Sequence, residues 1–160
     1  MSYRARSRLL GWLIVRSVPV LNAFRSGYPW GTAFSELIAY PEDSWGRHVH
    51  AFLSNRRMEF LPKYQPHDAL HVLLGYDATT EGEIRLQAFM AGNSTRSFAG
   101  WVLYRLGLIF LPECRESMRS DFSRGRTSKP IDWLSIECAL RMPLAVVRRQ
   151  WHIADTRTAA

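Results

Sequence analysis

The chain has 160 residues, of which 47% are hydrophobic and 12% aromatic, and its formal net charge is +7. This composition excludes an intrinsically disordered protein and indicates one globular domain, because a chain of this length can bury a core without disulfide help. The two cysteines, Cys114 and Cys138, form no CxxC pair, which excludes a thiolate zinc knuckle. We expect both thiols to be small buried side chains in a reducing compartment, although their spacing leaves a disulfide open.

Arginine supplies nearly all of the positive charge, and the first 35 residues contain five arginines and no acidic residue. A basic surface attracts nucleic acid or anionic lipid head groups. No helix-turn-helix or RNA-binding aromatic motif is present, so no nucleic-acid partner is predicted. The apolar stretches 9–20 and 98–111 are shorter than the roughly 20 residues that a spanning helix needs. We therefore predict no transmembrane segment and no secretory signal, and a first helix that lies on the protein or on a membrane surface.

Apolar residues recur at helical spacing along most of the chain, and no run alternates convincingly as a strand would. The predicted class is all-α, as a single compact multi-helix domain over residues 1–160. Residues 1–30 form an N-terminal helix and loop of undetermined role, and residues 33–153 form the core. Helices are predicted at 6–24 with a break or kink at Pro19, and then at 33–40, 45–54, 67–76, 80–92, 97–110, 113–122, 131–141 and 144–151. Ser44 is a candidate cap for the helix at 45–54, and a break is predicted near Gly92-Asn93. Residues 26–32 are predicted to form a loop, and residues 123–130 a polar, basic loop.

The most informative segment is His67-Asp68-Ala69-Leu70-His71, which Glu83 follows after a short turn. Two histidines four residues apart lie on the same face of a helix, so their imidazoles can bind one metal ion. Asp68 lies about 100° round the helix from His67 and must bend back toward the metal. A helix–turn–helix can return Glu83 to the same place. The sequence predicts a site for one divalent metal ion, with His67, Asp68, His71 and Glu83 as its metal-binding and catalytic residues.

Two nitrogen and two oxygen ligands suit several metals, with zinc first and cobalt, iron, manganese or magnesium as alternatives. Each residue also has a purely structural interpretation. The histidines could be ordinary core or surface residues, and Asp68 could complement the helix dipole. Glu83 could be the third residue of a capping box that Thr80 begins.

The pattern His-Asp-x-x-His, eleven residues and then Glu resembles the signature of the coenzyme Q biosynthesis protein 4 family. Here it consists of His67-Asp68-Ala69-Leu70-His71, residues 72–82, and Glu83. The surrounding HDALHVLLGY run, the Gly82-Glu83 pair, Trp45-Gly46 and the closing stretch from Trp133 to Ile153 are also similar to the family. The resemblance covers about residues 33 to 153.

The resemblance implies an all-helical fold, a divalent metal held by the four motif residues, and a role in ubiquinone biosynthesis. The implied reaction is removal of the C1 carboxylate of a polyprenylated hydroxybenzoate, alone or coupled to hydroxylation. Implied partners are the prenylated substrate, other ubiquinone-synthesis proteins and a peripheral membrane contact, with a homodimer left open. The implied location is the cytoplasm or the cytoplasmic face of a bacterial inner membrane, or the matrix side of the mitochondrial inner membrane in a eukaryote.

Two other functions compete with this enzyme. The first is a non-catalytic protein that binds a prenyl lipid or acts as a scaffold for ubiquinone-synthesis enzymes. The second is a metal-dependent phosphohydrolase, which would require His50 and Asp132 as further ligands. The apolar stretch 98–110 could line a channel for the prenyl tail or could simply be a core helix. Arg105 within it is a candidate partner for an anionic group, or for a nearby acidic side chain.

Overall fold

The computed structural model describes residues 2–24, 30–61, 63–93 and 98–154, apart from the side chains of residues 15, 17–24, 98 and 99. Within these ranges the regular structure is helical, and an isolated bridge between Ser44 and Pro143 is the one pairing of β type. The predicted all-α class is confirmed. The α-helices are α1 (Tyr3–Phe24), α2 (Trp45–Ser54), α3 (Gln65–Leu74), α4 (Thr80–Gly92), α5 (Phe98–Phe110), α6 (Arg115–Thr127), α7 (Trp133–Ala139) and α8 (Leu144–Gln150).

Two short 3-10 helices, Phe34–Ala39 and Pro112–Cys114, complete the described helices. The predicted cap at Ser44 is confirmed, since its side chain accepts a hydrogen bond from the backbone N–H of Arg47. Helix α1 runs through Pro19 without a break, and the alternative of a kink there stays a prediction. Residues 25–29, of which 26–29 belong to the predicted loop 26–32, lie outside the described residues. Residues 94–97, which follow the predicted break near Gly92-Asn93, also lie outside them.

The predicted loop at residues 123–130 and the predicted burial of Cys138 are both wrong. Residues 123–130 are predicted to form a polar loop, but α6 continues to Thr127 because its polar side chains face solvent while Gly125 packs against α4.

Cys138 is exposed on α7, whereas Cys114 is buried as predicted, and both thiols are free. Cys138 follows the exposed Leu134 by four residues, which places it on the outer face of that helix.

The chain divides into two compact units, one of Met1–Arg25 with Tyr76–Pro130 and the other of Ser26–Gly75 with Ile131–Ala160. The prediction of one domain over residues 1–160 stays a prediction. In the part of the chain that the structure describes, no helix is both long enough and apolar enough to cross a membrane.

The first unit contains α1, α4, α5 and α6, and its core is built from apolar side chains of these four helices and of the segment that joins α5 to α6. These are Leu10, Ile84, Ala88, Tyr104, Leu111, Cys114 and Met118. Helices α4 and α6 approach so closely that a Cβ at Gly125 would lie 2.1 Å from the Phe89 carbonyl oxygen, and one at Gly92 would lie 2.0 Å from that of Phe122. Only glycine at these positions lets the two backbones touch.

Polar groups join the same two helices. Arg85 Nε donates to Asp121 Oδ2 at 2.7 Å, and Asn93 Nδ2 donates to the Gly125 carbonyl at 3.1 Å. Because Asp121 is almost fully buried, its ion pair lies in a setting where unpaired charge is costly. Helix α4, which carries Glu83, is therefore fixed firmly against α6.

The second unit contains α2, α3, α7 and α8 with the 3-10 helix Phe34–Ala39. Its core includes Trp45, whose ring meets that of Trp151 edge-on at 5.7 Å between centroids. Leu70 and Leu73 of α3 are fully buried in it. This unit holds both histidines of the predicted metal motif.

Candidate metal centre

Helix α3 begins and ends where the local sequence dictates. Pro66 occupies its first turn, where the missing N–H breaks no helical hydrogen bond, and Asp68 complements the positive end of the helix dipole. Gly75 ends the helix in a left-handed conformation with φ of 78°, and its N–H bonds back to the His71 carbonyl. The predicted end at residue 76 is therefore two residues too late.

The two imidazoles of α3 meet as their spacing predicts. His67 Nε2 and His71 Nε2 are 3.2 Å apart, with the ring planes nearly perpendicular at 83°. His71 is almost fully buried, and His67 is half-buried. Two ring nitrogens that could bind a metal ion therefore lie side by side, with the His71 ring shielded from water and the His67 ring partly accessible.

Aromatic rings hold both imidazoles in place. Phe52 stacks on His71 with 5.8 Å between ring centroids and an interplanar angle of 19°, and Tyr64 meets His67 edge-on at 6.2 Å. The guanidinium of Arg56 lies over the Phe52 ring, 3.9 Å from its centroid. These contacts restrict the rotation of the two histidine rings, which is what a preorganised site requires.

Two residues that the sequence did not single out fix the backbone of α3. Trp45 Nε1 donates to the Ala69 carbonyl at 2.9 Å in the buried interior. Arg148 donates from Nε to the Leu73 carbonyl at 2.9 Å and from its terminal nitrogen to the Val72 carbonyl at 3.1 Å. A guanidinium at the C-terminal end of a helix satisfies carbonyls that have no partner within the helix. Only the general family likeness of these two stretches hinted at their importance.

Glu83 lies in the first unit, in the first turn of α4. The N-cap of α4 is Thr79, whose hydroxyl accepts from the N–H of Gly82, so the cap lies one residue earlier than predicted. The third residue of the helix, which would carry the acid of a capping box, is Gly82. The capping-box interpretation of Glu83 is therefore wrong, and the position of its carboxylate needs another explanation.

His67, His71 and Glu83 form a group of side chains, within the described residues, that could hold a metal ion. Asp68 is not a member of this group, although it lies beside His67 on the first turn of α3. Its part in the metal site stays a prediction, and the set of donors does not determine which metal it would prefer.

The other sequence-predicted candidates make interactions of a different kind. The His50 ring stacks on Phe34 at 4.8 Å, and Asp132 caps α7 by accepting from the Leu134 N–H. Neither belongs to the group that could hold a metal ion, so the phosphohydrolase interpretation gains no support. Arg105 lies over the Trp101 ring at 5.4 Å on the outer side of α5.

Comparison with known proteins shows a similar fold but no matching family. No protein-family model matches the chain, and no curated protein matches it. Its fold is similar to the crystal structure of a protein from Nostoc punctiforme PCC 73102 described as a putative ubiquinone biosynthesis protein, with a TM-score of 0.59. The two sequences are 20% identical, and the likeness covers 96% of this chain and 82% of the other. At this identity the likeness shows a shared fold.

Proposed function

We propose that His67, His71 and Glu83 bind one divalent metal ion and that Asp68 bends back to join them. The observation that carries the proposal is the 3.2 Å separation of the two Nε2 atoms. Two imidazole nitrogens bound to one tetrahedral zinc ion at 2.0–2.1 Å would be about 3.3 Å apart. The pair therefore already has nearly the spacing that a shared ion needs.

We further propose that the chain acts in ubiquinone biosynthesis, as the family resemblance implies. The support is the likeness of its fold, over nearly the whole chain, to a protein described in those terms. Membership of the coenzyme Q biosynthesis protein 4 family rests on the spacing from His67 to Glu83. The proposed reaction removes the C1 carboxylate of a polyprenylated hydroxybenzoate.

The proposed step breaks the bond between ring carbon C1 and the carboxylate, and the bonding electron pair stays on the ring. Carbon dioxide leaves and a proton takes its place on C1. The bound ion would supply Lewis acidity toward the anionic oxygens of the substrate. Phe52 and Tyr64 would hold the imidazoles so that binding the ion requires little rearrangement. The coupled variant places a hydroxyl on C1: water supplies the hydroxyl, and dioxygen accepts the two electrons and leaves as hydrogen peroxide.

The test is incubation of the metal-loaded protein with a prenylated hydroxybenzoate, under air and under argon. Carbon dioxide and the ring product are measured, with the variant H67Q beside the wild type and H50Q as a matched control. We expect wild type and H50Q to release carbon dioxide and H67Q to lose at least about 100-fold in rate. Release under argon identifies simple decarboxylation, whereas release only under air identifies the coupled reaction.

If fully loaded protein releases no carbon dioxide under either gas, the enzymatic proposal is wrong. The non-catalytic alternative is then tested in cells that lack the protein. Restoration of ubiquinone by H67Q would show that the role in the pathway needs no metal chemistry.

A further inference from the structure

We infer that Arg56 is a positioning residue of the proposed metal site, and that it holds the His71 ring in place through the ring of Phe52. The inference rests on the proposed function, because it concerns the same site. Arg56, Phe52 and His71 all lie in the second unit. Arg56 is exposed, so the role belongs to a surface residue that is not itself a proposed ligand.

Three planar groups follow one another from the surface to the buried histidine. The guanidinium of Arg56 lies over the Phe52 ring, 3.9 Å from its centroid. The Phe52 ring stacks in turn on the His71 imidazole, with 5.8 Å between centroids and 19° between planes. We call these three groups the Arg56 row. At its inner end the Nε2 atom of His71 lies 3.2 Å from that of His67.

Arg56 is held at residue 52 by a hydrogen bond as well as by the ring contact. Helix α2 ends at Ser54, and the carbonyls of the last turn of a helix have no partner within it. The backbone N–H of Arg56 bonds to the Leu53 carbonyl at 2.9 Å, and its Nη1 donates to the Phe52 carbonyl at 2.7 Å. The guanidinium is therefore fixed to both the carbonyl and the ring of Phe52.

The Arg56 row determines the plane of the His71 ring. The terminal torsion of a histidine or phenylalanine side chain has a broad energy well, so its neighbours decide the orientation of the ring. Phe52 is the nearly parallel neighbour of His71, but Phe52 is only half-buried and needs a neighbour of its own. Arg56 supplies that neighbour with a flat group, which a lysine would lack. The direction of His71 Nε2 toward His67 thus depends on Arg56.

A positioning role differs in its consequences from a purely stabilising one. An exposed contact between a guanidinium and an aromatic ring is weak, and its loss alone would leave metal binding unchanged. Misplacing a ligand, in contrast, lowers the affinity for the metal and changes the geometry around it. Affinity and geometry are therefore the quantities to measure.

The test is titration of the metal-free full chain with zinc, in the wild type, R56A, F52L and the double variant R56A/F52L. We expect zinc to bind about fivefold more weakly in R56A and about tenfold more weakly in F52L. The double variant should bind no more weakly than F52L, because Arg56 has no ring to act on once Phe52 is replaced. With cobalt in place of zinc, the visible absorption spectrum of the bound ion should shift in R56A.

The matched control is R149A, which removes an exposed arginine of α8 in the same unit and should bind both metals like the wild type. Circular dichroism checks the helicity of each variant, and R56A alone decides the matter if F52L does not fold. Wild-type affinity and cobalt spectrum in R56A, or additive losses in the double variant, would overturn this inference alone. Absence of stoichiometric zinc binding by the wild type would contradict the proposed function and this inference together.

Discussion

His67 and His71 differ in their exposure to water, and this difference determines from which side a ligand can reach the two imidazoles. The His71 ring is almost fully buried and stacked on Phe52, whereas the His67 ring is half-buried beside Tyr64. An incoming ligand would therefore reach the pair from the side of His67. Because ligand exchange needs an accessible position, His67 is the histidine whose replacement should affect binding with the least disturbance of the core.

We expect the ionisation of Tyr76 to make the stability of the first unit depend on pH. Burial raises the pKa of Tyr76 far above the ordinary value of a tyrosine, the Arg124 guanidinium opposes this, and Asp121 adds to it. In the unfolded chain the same group ionises near pH 10. A raised pKa in the folded state means that the stabilisation is fully present below pH 10 and is lost as the pH rises above it.

We therefore expect the free energy of unfolding to fall between pH 9 and pH 11, and to fall less steeply in Y76F than in the wild type. Urea unfolding at several pH values measures this slope, with pH 7 as the reference. Some dependence of stability on pH remains in Y76F, because burial also raises the pKa of Tyr3, to about 12. An equal slope in Y76F and the wild type would show that Tyr76 is not the responsible group.

At the scale of the element, α3 and α4 are held by contacts that are distant in sequence. Trp45 and Arg148 bond to carbonyls of α3, while Gly125 lets α6 lie directly on α4. None of these contacts involves a proposed ligand. They fix α3 within the second unit and α4 within the first unit.

Replacing Gly125 by alanine tests the contact between α4 and α6. The added Cβ would lie 2.1 Å from the Phe89 carbonyl oxygen, so the backbone of one helix must move. We expect a loss of about 3 kcal/mol in the free energy of unfolding, at the upper end for overpacked sites. The control is G31A, whose Cβ would have only an ordinary contact at 3.8 Å with Glu137 and should change stability by less than about 0.5 kcal/mol. Equal stability of the two variants would contradict the close approach of these helices.

The helices were largely predictable from the sequence because their signals are local. Ser44 caps α2, Pro66 lies in the first turn of α3, and Gly75 follows the last residue of α3, each by a rule that spans a few residues. The end of α6 was not predictable, since Gly125 reads as a loop residue until its contact with α4 is known. Likewise, the meeting of His67 and His71 follows from helix geometry, whereas Trp45 and Arg148 could be found only from tertiary structure.

At the scale of the whole molecule, the fold likeness shows a shared fold, and the proposed function depends on the site residues. The likeness extends over 96% of the chain at 20% sequence identity. The metal motif is a matter of residue types and spacing from His67 to Glu83. A fold alone can carry many functions, so the proposed chemistry depends on whether this chain binds a metal.

The central claim is that His67, His71 and Glu83 bind one cation together, and titration of the metal-free full chain with zinc tests it most directly. The account predicts one zinc ion per chain, with affinity lowered about 100-fold or more in both H67Q and E83Q. The matched controls H50Q and E113Q should bind like the wild type, with all variants retaining the helical circular dichroism of the wild type. Unchanged affinity in E83Q, or no stoichiometric binding by the wild type, would contradict the claim.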